Sequence, residues 1–252
     1  MAEETTKVDV GGHQLRYRSM GEGDRAVVLL NGFVNTIDVW DEFVRELGDI
    51  GRVVALEQRA HGWSGAPEPP FSWEDLAGDV LAAMDALGIG TAVLVGHDFG
   101  GIVALTVARI APERVEKLVL IGTVTDSSER QQGFLDEVVK SGSMNGLQGL
   151  AHSIWGPMST RKVEGQAAGL TEVARLLQGL GQESLTPRLT AITTPTLCLA
   201  GSDDSLWPTR IEAVAEALGA GQAEAIDKAD HAPQLSQPAE TAAAVRRFLG
   251  AE

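Results

Sequence analysis

The chain carries one cysteine, Cys198. No intrachain disulfide can form, and four clustered thiolates for a structural zinc are excluded. Aromatic residues make up only 5% of the chain, with a single tyrosine, Tyr17. Positive charge is also scarce: 20 Lys and Arg against 35 Asp and Glu leave a net charge of −15. Such a surface repels nucleic acid and anionic membranes, both of which need a basic partner. No apolar run approaches the roughly 20 residues needed to cross a bilayer. The opening MAEETTKVDV has neither the basic head nor the hydrophobic stretch of a secretory signal. A soluble, cytoplasmic protein is expected, with no nucleic-acid or membrane partner. Hydrophobic residues at 44% and charged residues at 22% give a globular rather than a disordered profile. At about 150 residues per domain, the length suits one to two domains, and a single α/β domain accounts for it.

Short runs rich in Val and Leu recur at Ala26–Leu30, Val53–Leu56, Ala92–Val95, Leu118–Ile121 and Thr196–Ala200. Apolar on consecutive positions, they read as strands buried on both faces of a parallel sheet. Val8–Val10 and Gln14–Arg18, joined at Gly11–Gly12, read as an antiparallel hairpin, and Ala223–Ile226 adds a last strand. Between the strands, Ile37–Leu47, Trp73–Leu87, Gly101–Ile110 and Glu240–Leu249 show helical spacing. This βαβα order predicts an α/β fold with a mostly parallel eight-stranded sheet and helices on both faces. From Thr123 to Pro187 the rhythm breaks. Gln131–Lys140, Leu147–Trp155, Val163–Gly169 and Val173–Leu180 read as helices with no strand among them. The predicted division is a core of residues 1–122 and 188–252, with a helical cap at 123–187.

Strand Ala92–Val95 runs into Gly96-His97-Asp98-Phe99-Gly100-Gly101, and a helix follows at once. Small residues around Asp98 suit a sharp strand-to-helix turn. Its side chain would stand at the carboxyl end of the sheet, near the positive end of the next helix. This layout resembles the nucleophile elbow of the α/β-hydrolase fold, with aspartate where serine is usual. Over essentially the whole chain the sequence is similar to that superfamily. Its elbow is most like those of epoxide hydrolases and haloalkane dehalogenases, which use an aspartate. Asn31-Gly32-Phe33 resembles the oxyanion loop. Gln58-Arg59-Ala60-His61-Gly62-Trp63-Ser64 resembles a second family loop. Gly201-Ser202-Asp203-Asp204 and Asp230-His231-Ala232-Pro233 supply an acid and a histidine in the expected order.

The resemblance implies Asp98 as nucleophile, His231 as base and Asp204 as the acid that orients it. The Phe33 and Phe99 backbone amides would be the oxyanion donors. Asp203 and Asp126 compete with Asp204 for the acid's place, and Asp98 alone could also be read as a helix N-cap. Asn31, His152, Trp155 and Trp207 are candidate substrate contacts. A carboxylate needs no base to attack an sp³ carbon, and the resulting ester would be opened by water activated at His231. The implied activity is a cofactor-independent hydrolase, most like an epoxide hydrolase, acting on a small or medium hydrophobic organic substrate. It needs no metal, and the chain is expected to be a monomer or homodimer. Tyr17 lies in the hairpin, so the paired cap tyrosines that protonate the opening oxygen have no counterpart; His152 or the Trp155 indole would substitute. Other readings are a haloalkane dehalogenase, and a non-hydrolytic enzyme such as a cofactor-free oxygenase or a rearrangement catalyst. If Asp98 stands in place of a native serine, an ester or lactone hydrolase is the reading.

Overall fold

The computed structural model describes residues 6–205 and 211–251. Eight strands make one sheet: β1 (Thr6–Asp9), β2 (Gln14–Met20), β3 (Ala26–Leu30), β4 (Arg52–Leu56), β5 (Ala92–His97), β6 (Val115–Ile121), β7 (Thr196–Gly201) and β8 (Gly221–Ile226). They lie in the order β1-β2-β4-β3-β5-β6-β7-β8. The β1–β2 and β2–β4 pairings are antiparallel and all later ones parallel. The expected eight-stranded, mostly parallel architecture is present. The helices, in chain order, are α1 (Asp41–Leu47), α2 (Trp73–Ala86), α3 (Phe99–Ile110), α4 (Glu129–Trp155), α5 (Ala167–Gly179), α6 (Ile211–Ala217), α7 (Pro233–Ser236) and α8 (Pro238–Leu249). No helix among the described residues is long and apolar enough to cross a membrane.

Successive strand residues point to opposite faces, and here both faces are covered. Val28, Leu30, Leu94 and Leu118 pack with Leu76 of α2 and Ile102 of α3. Val27, Leu29, Val93 and Val119 pack with Phe43 of α1 and Val245 of α8. Each such side chain contributes roughly 1.5–3 kcal/mol on burial. That explains why the central strands are apolar at every position and give no alternating pattern.

Two helix readings need correction. Ile37–Leu47 is a single-turn 3₁₀ helix, Ile37–Trp40, followed by α1 from Asp41. The segments read as Val163–Gly169 and Val173–Leu180 are one helix, α5, which begins at Ala167. The cause lies at Gly165: its φ of +139° is closed to helix, and it bridges to His61 on the core. The other two helical segments meet in α4, which kinks at Gly146, where φ is 59°. Ser128 and Gln131 form a capping box at its start. Between β6 and β7 the described residues carry no strand, in line with the sequence.

The glycines of the β5–α3 turn are packed against backbone. A Cβ on Gly100 would collide with the carbonyl oxygens of Leu30 and Asn31, neither of which can move out of the way. Gly133 in α4 faces open space. Gly100→Ala is therefore expected to cost about 1–3 kcal/mol or more. Gly133→Ala should stabilise by about 0.5–1 kcal/mol. Equilibrium unfolding in urea checks both signs.

Candidate active site

Asp98 sits between β5 and α3 with φ 50° and ψ −118°, a conformation that costs a non-glycine residue on the order of 1–3 kcal/mol. The turn is tight because α3 lies directly against the strands. A Cβ on Gly96 would collide with the Gly100 backbone, and one on Gly101 would collide with Thr123. Asp98 N–H donates to the Ile121 carbonyl at 2.8 Å, and Gly101 N–H donates to the Asp98 carbonyl at 3.0 Å. The bend is thereby tied to β6 as well as to its own helix. The Asp98 side chain makes no capping hydrogen bond to α3, which answers the N-cap reading. Its Oδ2 instead accepts from the Phe33 backbone N–H at 3.1 Å.

His231 stands between two carboxylates. Its Nδ1 lies 2.8 Å from Asp204 Oδ2, and its Nε2 lies 3.9 Å from Asp98 Oδ1. The Asp204 side chain is almost wholly buried, at 2% exposure, against 23% for His231 and 17% for Asp98. Burial alone would pull the imidazolium's pKa down. Hydrogen bonding to Asp204 and Asp98 and the charge on both outweigh it and raise His231 to about 10. Burial also works against the Asp98 carboxylate, but the hydrogen bond and charge of His231, aided by His97 and Phe33 N–H, hold its pKa below the usual value. The resting site is an imidazolium between two carboxylates. Asp203 takes no part: it is exposed and accepts from Ser202 Oγ. Asp126 is exposed too.

Two buried histidines frame this group and stay neutral. His97, with Nε2 3.1 Å from the His231 carbonyl, is lowered to about 4 by burial and by the charge of His231. His61 Nδ1 donates to the Arg59 carbonyl at 2.9 Å, and its ring stacks on Phe99 with centroids 5.4 Å apart. Burial lowers it to about 4 as well. The loop carrying His61 is braced by Arg59, whose guanidinium grips Asp79 of α2 at 2.6 and 2.7 Å.

A cavity of about 360 Å³ opens over Asp98, His97 and His231. Its apolar walls include Phe33 and Val34 from the loop after β3, Phe134 and Trp155 from α4, and Leu177 and Leu180 at the end of α5. The structure thus brings together Asp98, His231, Asp204, Phe33 and Trp155. Other expected contacts are not brought there. Asn31 is buried, with its carboxamide N–H bonded to the Gly32 and Asn35 carbonyls and its oxygen accepting from Gln58 N–H. It shapes the turn and faces no substrate. His152 lines a separate cleft with Leu147 and Lys162. The Phe99 ring is turned into the core against His61 and Trp73, so only its backbone N–H, at the start of α3, faces the elbow. That N–H makes no bond to the Asp98 carboxylate among the described residues. Trp207 lies outside the described residues. Sequence reasoning missed Val34, Asn35, Phe134, Arg130 and Arg161, all on the cavity wall. Arg130 opens an amphipathic helix and could have been flagged, whereas Arg161 sits in a loop without any local pattern.

Comparison with known proteins agrees with the fold. The family described as alpha/beta hydrolase fold matches residues 25–141. The chain is 28% identical over 257 residues to the dihydrolipoyllysine-residue acetyltransferase component of an acetoin cleaving system from Cupriavidus necator, covering 96% of this chain and 68% of that one. It is 35% identical over 118 residues to mouse Epoxide hydrolase 4, covering 46% of this chain and only 33% of the relative. Among solved structures, the enol-lactonase from Burkholderia xenovorans LB400 superposes with a TM-score of 0.85 at 25% identity, covering 97% of this chain and 100% of that one.

The raised pKa of His231 makes a prediction for stability and for titration. With a folded value of about 10 against about 6.5 unfolded, its contribution is fully present below about pH 6.5. It is lost as pH rises through 10. Histidine-selective NMR should find His231 titrating near 10. Asp98→Asn removes one of the two carboxylates and should lower that value by at least about one pH unit. An unchanged titration would mean that Asp98 does not act on His231.

Proposed function

We propose that this chain, which has the α/β-hydrolase fold, is a hydrolase that works through an alkyl ester on Asp98. The observation that carries the reading is the state of the Asp98 carboxylate. It is ionised, free of any capping role, held by Phe33 N–H and aimed into an apolar cavity, with His231 Nε2 at 3.9 Å. An oxygen of Asp98 attacks an sp³ carbon of the substrate, and the bond from that carbon to its leaving atom breaks. An enzyme-bound ester remains.

The second step follows from electrostatics. Esterification removes the negative charge of Asp98, which is one of the two supports of the high His231 pKa. The imidazolium then releases its proton more readily and becomes able to act as a base. It takes a proton from water, which attacks the ester carbonyl carbon, while Asp204 stabilises the cation that re-forms. The oxyanion develops where Phe33 N–H already donates, with Phe99 N–H as second donor. The base is thus held off until the intermediate exists.

Partial likeness to an epoxide hydrolase over 46% of the chain supports an epoxide as the electrophile, and a haloalkane fits the same first step. For an epoxide, the opening oxygen needs a proton. Of the two substitutes for absent cap tyrosines, His152 lies outside the cavity and Trp155 on its wall. A second reading, lactone or ester hydrolysis, draws on the full-length likeness to the Burkholderia enol-lactonase. It is weaker for this chain, because a carboxylate attacking an ester must form a mixed anhydride.

The test is intact-protein mass after mixing His231→Ala with a panel of epoxides and haloalkanes. Without its base the second step stalls, and an alkyl adduct is expected on Asp98. The adduct should be absent from the double variant carrying Asp98→Asn, and Asp98→Asn alone should lose about 10³-fold or more in turnover. An adduct that persists without Asp98 would overturn the assignment. Turnover of esters with full activity in Asp98→Asn would favour neither reading and point to a different nucleophile.

A further inference from the structure

The cavity over Asp98 is apolar at its centre, but two cations stand on its wall, Arg130 and Arg161. In a chain of net charge −15, arginines find carboxylates easily. Every other described arginine makes an ion pair or a hydrogen bond through its side chain. Among the described residues, Arg130 and Arg161 do neither. Asp126 and Glu129 precede Arg130 in sequence, yet neither pairs with it. The Arg161 guanidinium lies over the Trp155 ring, 5.9 Å from its centroid, which orients it along the same wall.

The position of Arg130 adds a second, independent sign. It is the second residue of α4, in the first turn, where the helix dipole disfavours a cation. An anion placed there is attracted by the guanidinium and relieves that repulsion. Among the described residues, Asp98, which is matched by His231, is the one acidic side chain that lines the cavity. The wall therefore carries two solvent-exposed guanidinium groups that no described carboxylate neutralises.

We propose that the substrate of this site carries a carboxylate on an apolar body, and that Arg130 and Arg161 bind that carboxylate while the body lies between Phe33, Phe134 and Trp155. This deepens the hydrolase reading by naming the substrate class: an electrophilic carbon at one end, presented to Asp98, and an acid at the other. Guanidinium groups suit a carboxylate because their planar N–H pairs match its two oxygens. Binding at that end also fixes which end of the molecule reaches Asp98.

The experiment needs no turnover. Isothermal titration of the full chain with phenylbutyrate and with phenylbutyramide compares an apolar acid with its neutral isostere. About tenfold tighter binding of the acid is expected, the scale of two partly exposed charge-assisted contacts. The preference should shrink in R130Q and in R161Q and vanish in the double variant. Arg188→Gln, an exposed arginine paired with Glu183, serves as the control and should keep it. Thermal unfolding of each variant verifies that it is folded. Equal affinity for acid and amide, or a preference that survives in the double variant, overturns the proposal. A carboxylate preference without any covalent adduct on Asp98 would retain this inference and reject the alkyl-ester reading, so the two fail separately.

Discussion

The close approach of α3 to the sheet is the constraint on which the rest of the site depends. Gly100 touches the carbonyls of Leu30 and Asn31, and Gly96 touches the start of the helix. With no room for a side chain on either side, the chain must reverse within one residue, and that residue takes φ 50°. The strain is offset by apolar burial on both faces of the sheet, where the central strands are almost wholly enclosed. One product of this packing is a carboxylate that cannot cap its own helix. Another is that the loop after β3, pressed against Gly100, brings the Phe33 N–H to the same carboxylate. The Asp98 carboxylate and the Phe33 N–H are positioned by one contact.

Electrostatics then divides the histidines by role. His61 and His97 are buried with no carboxylate bonded to their rings and are pushed down to about 4. His231, partly exposed, is pushed up to about 10 against its own burial because it faces two carboxylates. The two carboxylates, which the other rings lack, set its direction. The neutral pair acts as framework: His61 stacks under Phe99, and His97 supports the His231 backbone. Of the three, His231 is the one whose ring lies between Asp98 and Asp204.

Much of this was legible in the sequence, for reasons specific to particular residues. Strand and elbow are local features, so the Val-rich runs and the Gly-His-Asp-Phe-Gly-Gly turn could be read directly. Asp204 and His231 could be placed because their loops resemble those that carry the acid and the histidine in the α/β-hydrolase superfamily, in the same chain order. What was not legible depended on direction and on distant contacts. Asn31 looked like a donor to substrate, but both its amide hydrogens go to the Gly32 and Asn35 carbonyls and its oxygen accepts from Gln58. His152 and Trp155 are three residues apart on one helix, and only the second reaches the cavity. The break at Gly165 depends on a bridge to His61 more than a hundred positions away, which no periodicity reveals. Arg161 lies in a loop, where sequence carries no face.

The most direct test of Asp98 as nucleophile is a single turnover in water labelled with heavy oxygen, with enzyme in excess over an epoxide or haloalkane found to react. If the substrate carbon is first bonded to Asp98, the new hydroxyl of the product comes from the carboxylate and is unlabelled. The peptide containing Asp98 gains the heavy atom in its place. Label in the product of the first turnover, with none in that peptide, would mean that water attacks the substrate directly and would contradict the account.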